Sequence, residues 1–219
     1  MDEPTGKRGP YRVGIERRKA IIEQAAVTFG ENGFHAGTMR DVAERVGVSP
    51  AALVRYFSSK EELLMAVMDH YLSEWRAYVD RQAGPNRRGL AYVRGIPRVV
   101  EYFSLHPGVT RLHASLMSEG ATVGHPAHAY VVQSYSRTHA SFTRHVGEAV
   151  DDGDIPQFSP DEIEREAAQI ALAFHGAVAC AALQADLPPG VVGPPVVEVF
   201  TAFIDATVSR WQAARALGA

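Results

Sequence analysis

A chain of 219 residues, 46% hydrophobic and 21% charged, is long enough to bury a substantial core and reads as one or two ordinary globular domains. Its single cysteine, Cys180, excludes an intrachain disulfide framework and a cysteine-rich metal site. The net charge of −3 divides unevenly: residues 1–60 carry ten Lys/Arg against seven Asp/Glu (+3), and residues 61–219 carry twelve against eighteen (−6). A basic N-terminal part suits phosphate contact, and an acidic remainder discourages DNA from binding elsewhere. The opening MDEPTGKRGPYRVG lacks the apolar core of a signal peptide, and no apolar run reads as a membrane span, so a cytoplasmic protein with no membrane partner is expected.

In chain order, residues 1–14 are rich in Pro, Gly and basic residues without periodicity. They read as a flexible arm with Lys7, Arg8 and Arg12, either a tail without a partner or one that touches phosphates or a minor groove. Over 15–32, Ile21, Ile22, Ala25, Ala26 and Phe29 fall at helical spacing, and Gly33 is placed to end that helix. The stretch 38–64, TMRDVAERVGVSPAALVRYFSSKEELL, then predicts a helix, a tight turn, a second helix and the capped start of a third. Thr38 caps the first helix with Asp41 as its reciprocal acid, and Val42, Ala43 and Val46 form its apolar stripe. Gly47 supplies a turn that tolerates positive φ. Ser49 is an N-cap and Pro50 fits the first helical position. Leu53, Tyr56 and Phe57 supply the buried side, and Ser59 to Glu62 reads as a further capping box. Two short helices joined through a Gly turn make a helix-turn-helix.

These residues resemble the DNA-binding domain of the TetR family of transcriptional regulators. The resemblance rests on Thr38, Gly47-Val48, Leu53-Val54-Arg55-Tyr56-Phe57 and Ser59-Lys60-Glu61-Glu62-Leu63, and it spans roughly residues 15–68. Val54 departs from the pattern, standing where the family usually has a Tyr that touches a DNA phosphate. The resemblance implies double-stranded DNA with a palindromic operator as partner, Phe34 in the small three-helix core, and Lys60 against a phosphate. Chemistry distributes the other roles. Arg40 reaches a phosphate or a guanine edge, and Pro50, Ala51 and Ala52 allow close groove approach. Arg55 is the residue able to make a bidentate guanine contact. Tyr56 reads equally as a phosphate donor or as half-buried core. The expected DNA-binding set is therefore Thr38, Arg40, Ser49, Pro50, Ala51, Ala52, Arg55, Tyr56 and Lys60.

From 59 to about 81 a long helix keeps Leu63, Leu64, Val67, Met68, Tyr71, Leu72 and Trp75 on one face, which suits an element shared by two domains. The break at 82–89 (QAGPNRRG) is followed by helical patterns over 90–105, 107–119, 126–150, 160–185 and 194–217. The fold expected is all-α: an arm at 1–14, a three-helix helix-turn-helix domain at 15–68, and a helical ligand-binding and dimerisation domain at 69–219. Ala167, Ala171, Phe174, Val178 and Ala182 mark one of the last two helices. Val196, Val199, Phe200, Phe203, Val208 and Trp211 mark the other. Such pairs either bury both faces inside one subunit or build a four-helix bundle across a two-fold axis, and the resemblance implies the second, which is how the family forms homodimers.

Nothing in the C-terminal part spells catalysis: there is no phosphate-cradling Gly-rich loop, nucleophile elbow or base–nucleophile pair. Cys180, in an Ala-rich helix, reads as a buried inert residue. Of the histidines only His125 and His128 are closely spaced, with Pro126 between them and without the zinc-hydrolase pattern, so neither metal nor cofactor is expected. The family resemblance implies instead a cavity for a small-molecule effector. Phe103, His113, Met117, Tyr135, His139, Phe142, Phe174 and His175 offer aromatic walls and orienting polar groups, each of them also readable as core or as a satisfied histidine. The function expected is a homodimeric repressor released from its operator by an effector. A sequence-tolerant DNA organiser and a cavity-based enzyme or carrier are the alternatives.

Overall fold

The computed structural model describes residues 10–84, 87–184, 186–187 and 194–217. Among these it is all α-helical, in the order α1 (Pro10–Ala36), α2 (Met39–Val46), α3 (Pro50–Val54), α4 (Lys60–Ala83), α5 (Gly89–Gly95), α6 (Pro97–Leu105), α7 (Pro107–Glu119), α8 (His128–Asp151), α9 (Pro160–Gln184) and α10 (Val196–Ala216). Helix α1 begins at Pro10, so Arg12, read with the flexible arm, occupies its first turn; Lys7 and Arg8 lie outside the described residues. At Gly33 the backbone takes φ 76°, which ends the regular part of α1 and leaves Phe34–Ala36 as a separate turn. The expected helix over 90–105 is two: Pro97 cannot donate to the preceding turn, and α5 stops at Gly95.

Two hydrophobic cores organise the chain. The first gathers Ile21, Phe29 and Phe34 of α1 with Val42, Leu53, Phe57, Leu63 and Val67. Phe29 and Phe34 meet edge to face at 5.7 Å. Each such large side chain removed from water contributes about 1.5–3 kcal/mol. This core is not closed by the helix-turn-helix segment alone, because Leu112 and Leu116 of α7 and Val131 of α8 belong to it. The second core is built by α5–α10 around Val100, Phe142, Val146, Ile170, Phe174, Phe200 and Trp211. Tyr71 of α4 packs against both, so α4 joins the two cores as its continuous apolar face predicted. The expected division at residue 69 falls inside this helix.

The marked faces of the last two helices are used inside the subunit: Ala167, Ala171, Phe174, Val178 and Ala182 are buried, as are Val196, Phe200, Val208 and Trp211. Of the marked positions on α10, Val199 remains exposed and Phe203 partly so. Glu166 on α9 accepts a bidentate contact from Arg210 on α10 at 2.8 and 2.7 Å, which fixes the pair. The outward face of α9 carries Leu172, Gly176, Ala179, Cys180 and Leu183, all exposed. Cys180 is thus exposed rather than buried, since it lies on the side of α9 opposite Ala167 and Ala171. By length and composition α9 is apolar enough to cross a membrane, contrary to the expectation that no run is. Half of its apolar window is buried against neighbouring helices, as in a core helix.

Candidate nucleic-acid interface and ligand cavity

The motif forms by local chemistry. Thr38 Oγ1 accepts the Asp41 N–H at 3.1 Å while Asp41 Oδ2 accepts the Thr38 N–H at 2.9 Å, the reciprocal box expected. The Thr38 hydroxyl, which donates to Asp41 Oδ2 at 2.7 Å, and then the Thr38 N–H hold the Asp41 carboxyl below its usual range. Gly47 takes φ 73° and ψ 39°, and the N–H groups of Gly47 and Val48 return to the Glu44 and Ala43 carbonyls. Ser49 Oγ then caps α3 by accepting the Ala52 N–H at 3.1 Å. At α4 the expected box is displaced by one residue. Ser59 Oγ accepts the Glu62 N–H at 3.0 Å, but Glu62 Oε2 accepts from Ser58, at 2.7 Å from its N–H.

These turns place Arg40, Ala51 and Arg55 on the exposed side, with Val54 53% exposed beside them. Arg55 is the C-cap of α3 and Tyr56 lies in the turn beyond, packed partly against the first core, which supports its core reading. Lys60 departs from expectation. Its ammonium donates to the His35 carbonyl at 3.1 Å and lies 4.4 Å from the Phe34 ring, so it closes the end of α1 instead of pointing outward. Burial pushes its pKa down.

Helices α4 to α9 enclose a cavity of about 180 Å³. Of the expected ligand residues, Phe103, His113, Phe142, Phe174 and His175 line it; Met117, Tyr135 and His139 do not. Met117 lies one helical turn beyond His113 and packs on the first core. Tyr135 is 42% exposed, its ring stacked 5.3 Å from that of His175, and His139 approaches Glu164 at 3.5 Å. The α8 face turned inward carries Ser134, Thr138, Ser141 and Phe142, about 100° round from Tyr135 and His139.

Missing from the expected set were Tyr71, Trp75, Tyr92 and Tyr102 and the cations Arg76, Arg87 and Arg137. The aromatic face of α4 is legible as a helical stripe that joins the domains and touches the cavity at one end, but periodicity does not show which of its residues line it. Among the described residues Arg76 and Arg137 form no ion pair, whereas Arg87 lies 3.8 Å from Asp80. Both ring nitrogens of His175 are out of solvent without a hydrogen-bond partner. Burial, with His175 adding to it, pushes the His113 pKa down to about 4.

A helix-turn-helix head continuous with a helical cavity domain defines a class of two-part DNA-binding proteins. One segment makes this particular: residues 21–67 match the bacterial regulatory proteins of the tetR family, over the helix-turn-helix head. The chain is 39% identical over 89 residues to the regulator BetI of Rhizobium meliloti (strain 1021), covering 38% of this chain and 44% of that protein. It is 42% identical over 73 residues to the regulator RutR of Escherichia coli (strain K12), covering 33% and 34%. The chain thus aligns with less than half the length of these relatives. Across nearly the whole chain the fold resembles a TetR regulator of Chloroflexus aurantiacus (TM-score 0.72, 18% identity, 91% of this chain and 97% of that one). It also resembles the ketosteroid regulator KstR2 of Mycobacterium tuberculosis (TM-score 0.61, 18% identity, 89% and 94%).

Proposed function

We propose that the chain is a homodimeric, sequence-specific transcriptional repressor that leaves a palindromic operator when a small molecule fills its cavity. In this reading residues 15–68 act as the DNA head and 69–219 as the effector and dimer domain. The observation that carries it is α4, which starts at the motif with Lys60 and lines the cavity with Met68, Tyr71, Leu72, Trp75, Arg76 and Val79. A ligand that displaces α4 changes the position of the head. In a two-fold dimer, operator binding needs the two heads about 34–36 Å apart or a multiple of that, so an effector preferring another separation weakens DNA binding by its differential affinity. The lining suits an apolar or aromatic body with a group for Arg76, Arg137 or His175. The relatives' naming as regulators and the lack of catalytic spacing favour a regulator over an enzyme or carrier.

The test is selection of binding sites from genomic fragments at two salt concentrations, with Arg55→Ala alongside. A recovered palindrome is expected, weakened by roughly 10–100-fold in the variant, as for loss of a bidentate base contact. Uniform binding of all fragments, unchanged by the substitution, would overturn specific repression and favour the DNA organiser.

A further inference from the structure

The sequence predicts no metal site, because its one closely spaced pair, His125 and His128, flanks Pro126 and has neither a Cys partner nor the zinc-hydrolase pattern. Folding brings three together at the edge of the first core, beside Phe34, Leu116 and Ala127. His35 lies at the end of α1, just before the helix-turn-helix; Glu119 ends α7; and His125 lies in the connection to α8. One ligand atom from each lies within 4.8 Å of the others. His125 Nε2 and Glu119 Oε2 are 3.5 Å apart, the separation about 2.1 Å bonds to one tetrahedral ion require. Both atoms are out of solvent with no hydrogen-bond partner, and the His125 side chain is only 4% exposed. Buried polar groups without partners are rare in folded proteins and need a cause. The rings of His35 and His125 stand at 83° with centroids 4.7 Å apart. His35 is exposed, so its ring has room to close the remaining gap.

We infer that His35, Glu119 and His125 bind a divalent transition-metal ion of the zinc class, which clamps the DNA-binding head to α7. Two imidazoles and one carboxylate are borderline and hard donors that suit Zn²⁺, with the fourth position open to water. The second oxygen of Glu119, Oε1, is already held by the Ser115 hydroxyl, so the carboxylate is oriented before an ion arrives. His125 Nδ1 accepts the Ala127 N–H at 3.1 Å, which places the proton of the neutral ring on Nε2. Coordination through Nε2 moves that proton to Nδ1 and gives up the bond to Ala127, at the entrance to α8. The Lys60 ammonium, held on the His35 carbonyl, opposes the charge of the ion. Both effects make the site weaker than a closed structural zinc site and therefore reversible. Neither the operator nor the effector cavity is needed for this inference, so it stands or falls separately from the repressor reading.

The experiment uses the untagged full-length chain stripped with a chelator. Zn²⁺ is titrated against a chromophoric competitor, and Co²⁺ absorption reports the ligand geometry. One ion per chain is expected, with a tetrahedral Co²⁺ spectrum and a rise in thermal midpoint on adding Zn²⁺. Glu119→Gln and His125→Ala are expected to weaken binding by at least about 100-fold. The decisive variant is His35→Ala, which removes an exposed side chain and leaves the fold intact; it is expected to lose both tight binding and the thermal shift. Wild-type protein without stoichiometric binding overturns the site. Binding unchanged in His35→Ala overturns the clamp, because the ion would then belong to α7 and its connection alone.

Discussion

Held in the cavity wall beside His175, the imidazole of His113 drops from its usual 6.5 to about 4 because burial disfavours the charged ring. Between those values the unfolded chain takes up a proton that the folded chain refuses. The stability linked to His113 is therefore complete above pH 6.5 and is lost as pH falls toward about 4, by at most about 3 kcal/mol. Replacing the ring by an apolar one, His113→Phe, is expected to flatten this part of the stability profile, read as urea midpoints across that window. A variant losing stability as steeply as the parent would show that other groups carry the acid response. That His113 lines a cavity is implied by the family resemblance and not by its position along a helix. Its neutrality is implied by neither, since desolvation depends on Phe103, Phe174 and His175 arriving from other helices.

At the scale of elements, the helix-turn-helix was readable because its determinants act over three or four residues. Thr38 with Asp41, Gly47, and Ser49 with Pro50 each satisfy backbone groups within their own turn. The cavity depends on the rotation of six helices about their axes, and an error of one residue, about 100°, replaces Thr138 by His139. Close helix approach is equally hidden from periodicity. A Cβ added at Gly30 of α1 would lie 2.4 Å from the Gly108 carbonyl oxygen and 3.3 Å from the Leu112 nitrogen, both backbone atoms of α7. Helix propensity favours Ala over Gly by about 1 kcal/mol, but overpacking rigid backbone costs about 1–3 kcal/mol and wins. Gly30→Ala is therefore expected to destabilise the protein. Gly147→Ala in α8, where nothing lies within 4 Å of the added carbon, is expected to stabilise it by about 0.4–1 kcal/mol. Denaturant midpoints of the two variants moving in the same direction would contradict this account of the α1–α7 contact.

For the whole molecule, the proposed homodimer requires a surface that joins two copies. The positions that first suggested a two-fold bundle mostly fill the subunit's own core, so they leave little to offer a partner. The opposite face of α9 remains: Leu172 and Leu183 are 69% and 66% exposed, with the small residues Gly176 and Ala179 between them. On α10, Val199, Ala202 and Ala206 are exposed at helical spacing. An apolar stripe with a small middle lets helices pack closely and matches what an isologous four-helix interface needs. Leu172→Asp together with Leu183→Asp places two charges at that contact while touching none of the buried core. Monomers are expected in sedimentation at concentrations where the parent is a dimer, with the helical content of each chain preserved. Operator affinity is expected to fall by at least about 100-fold, because a single head loses the gain from two linked half-sites. A doubly charged variant that still sediments as a dimer would move the interface elsewhere. A monomer that held the operator as tightly as the parent would instead remove head spacing as the quantity an effector controls.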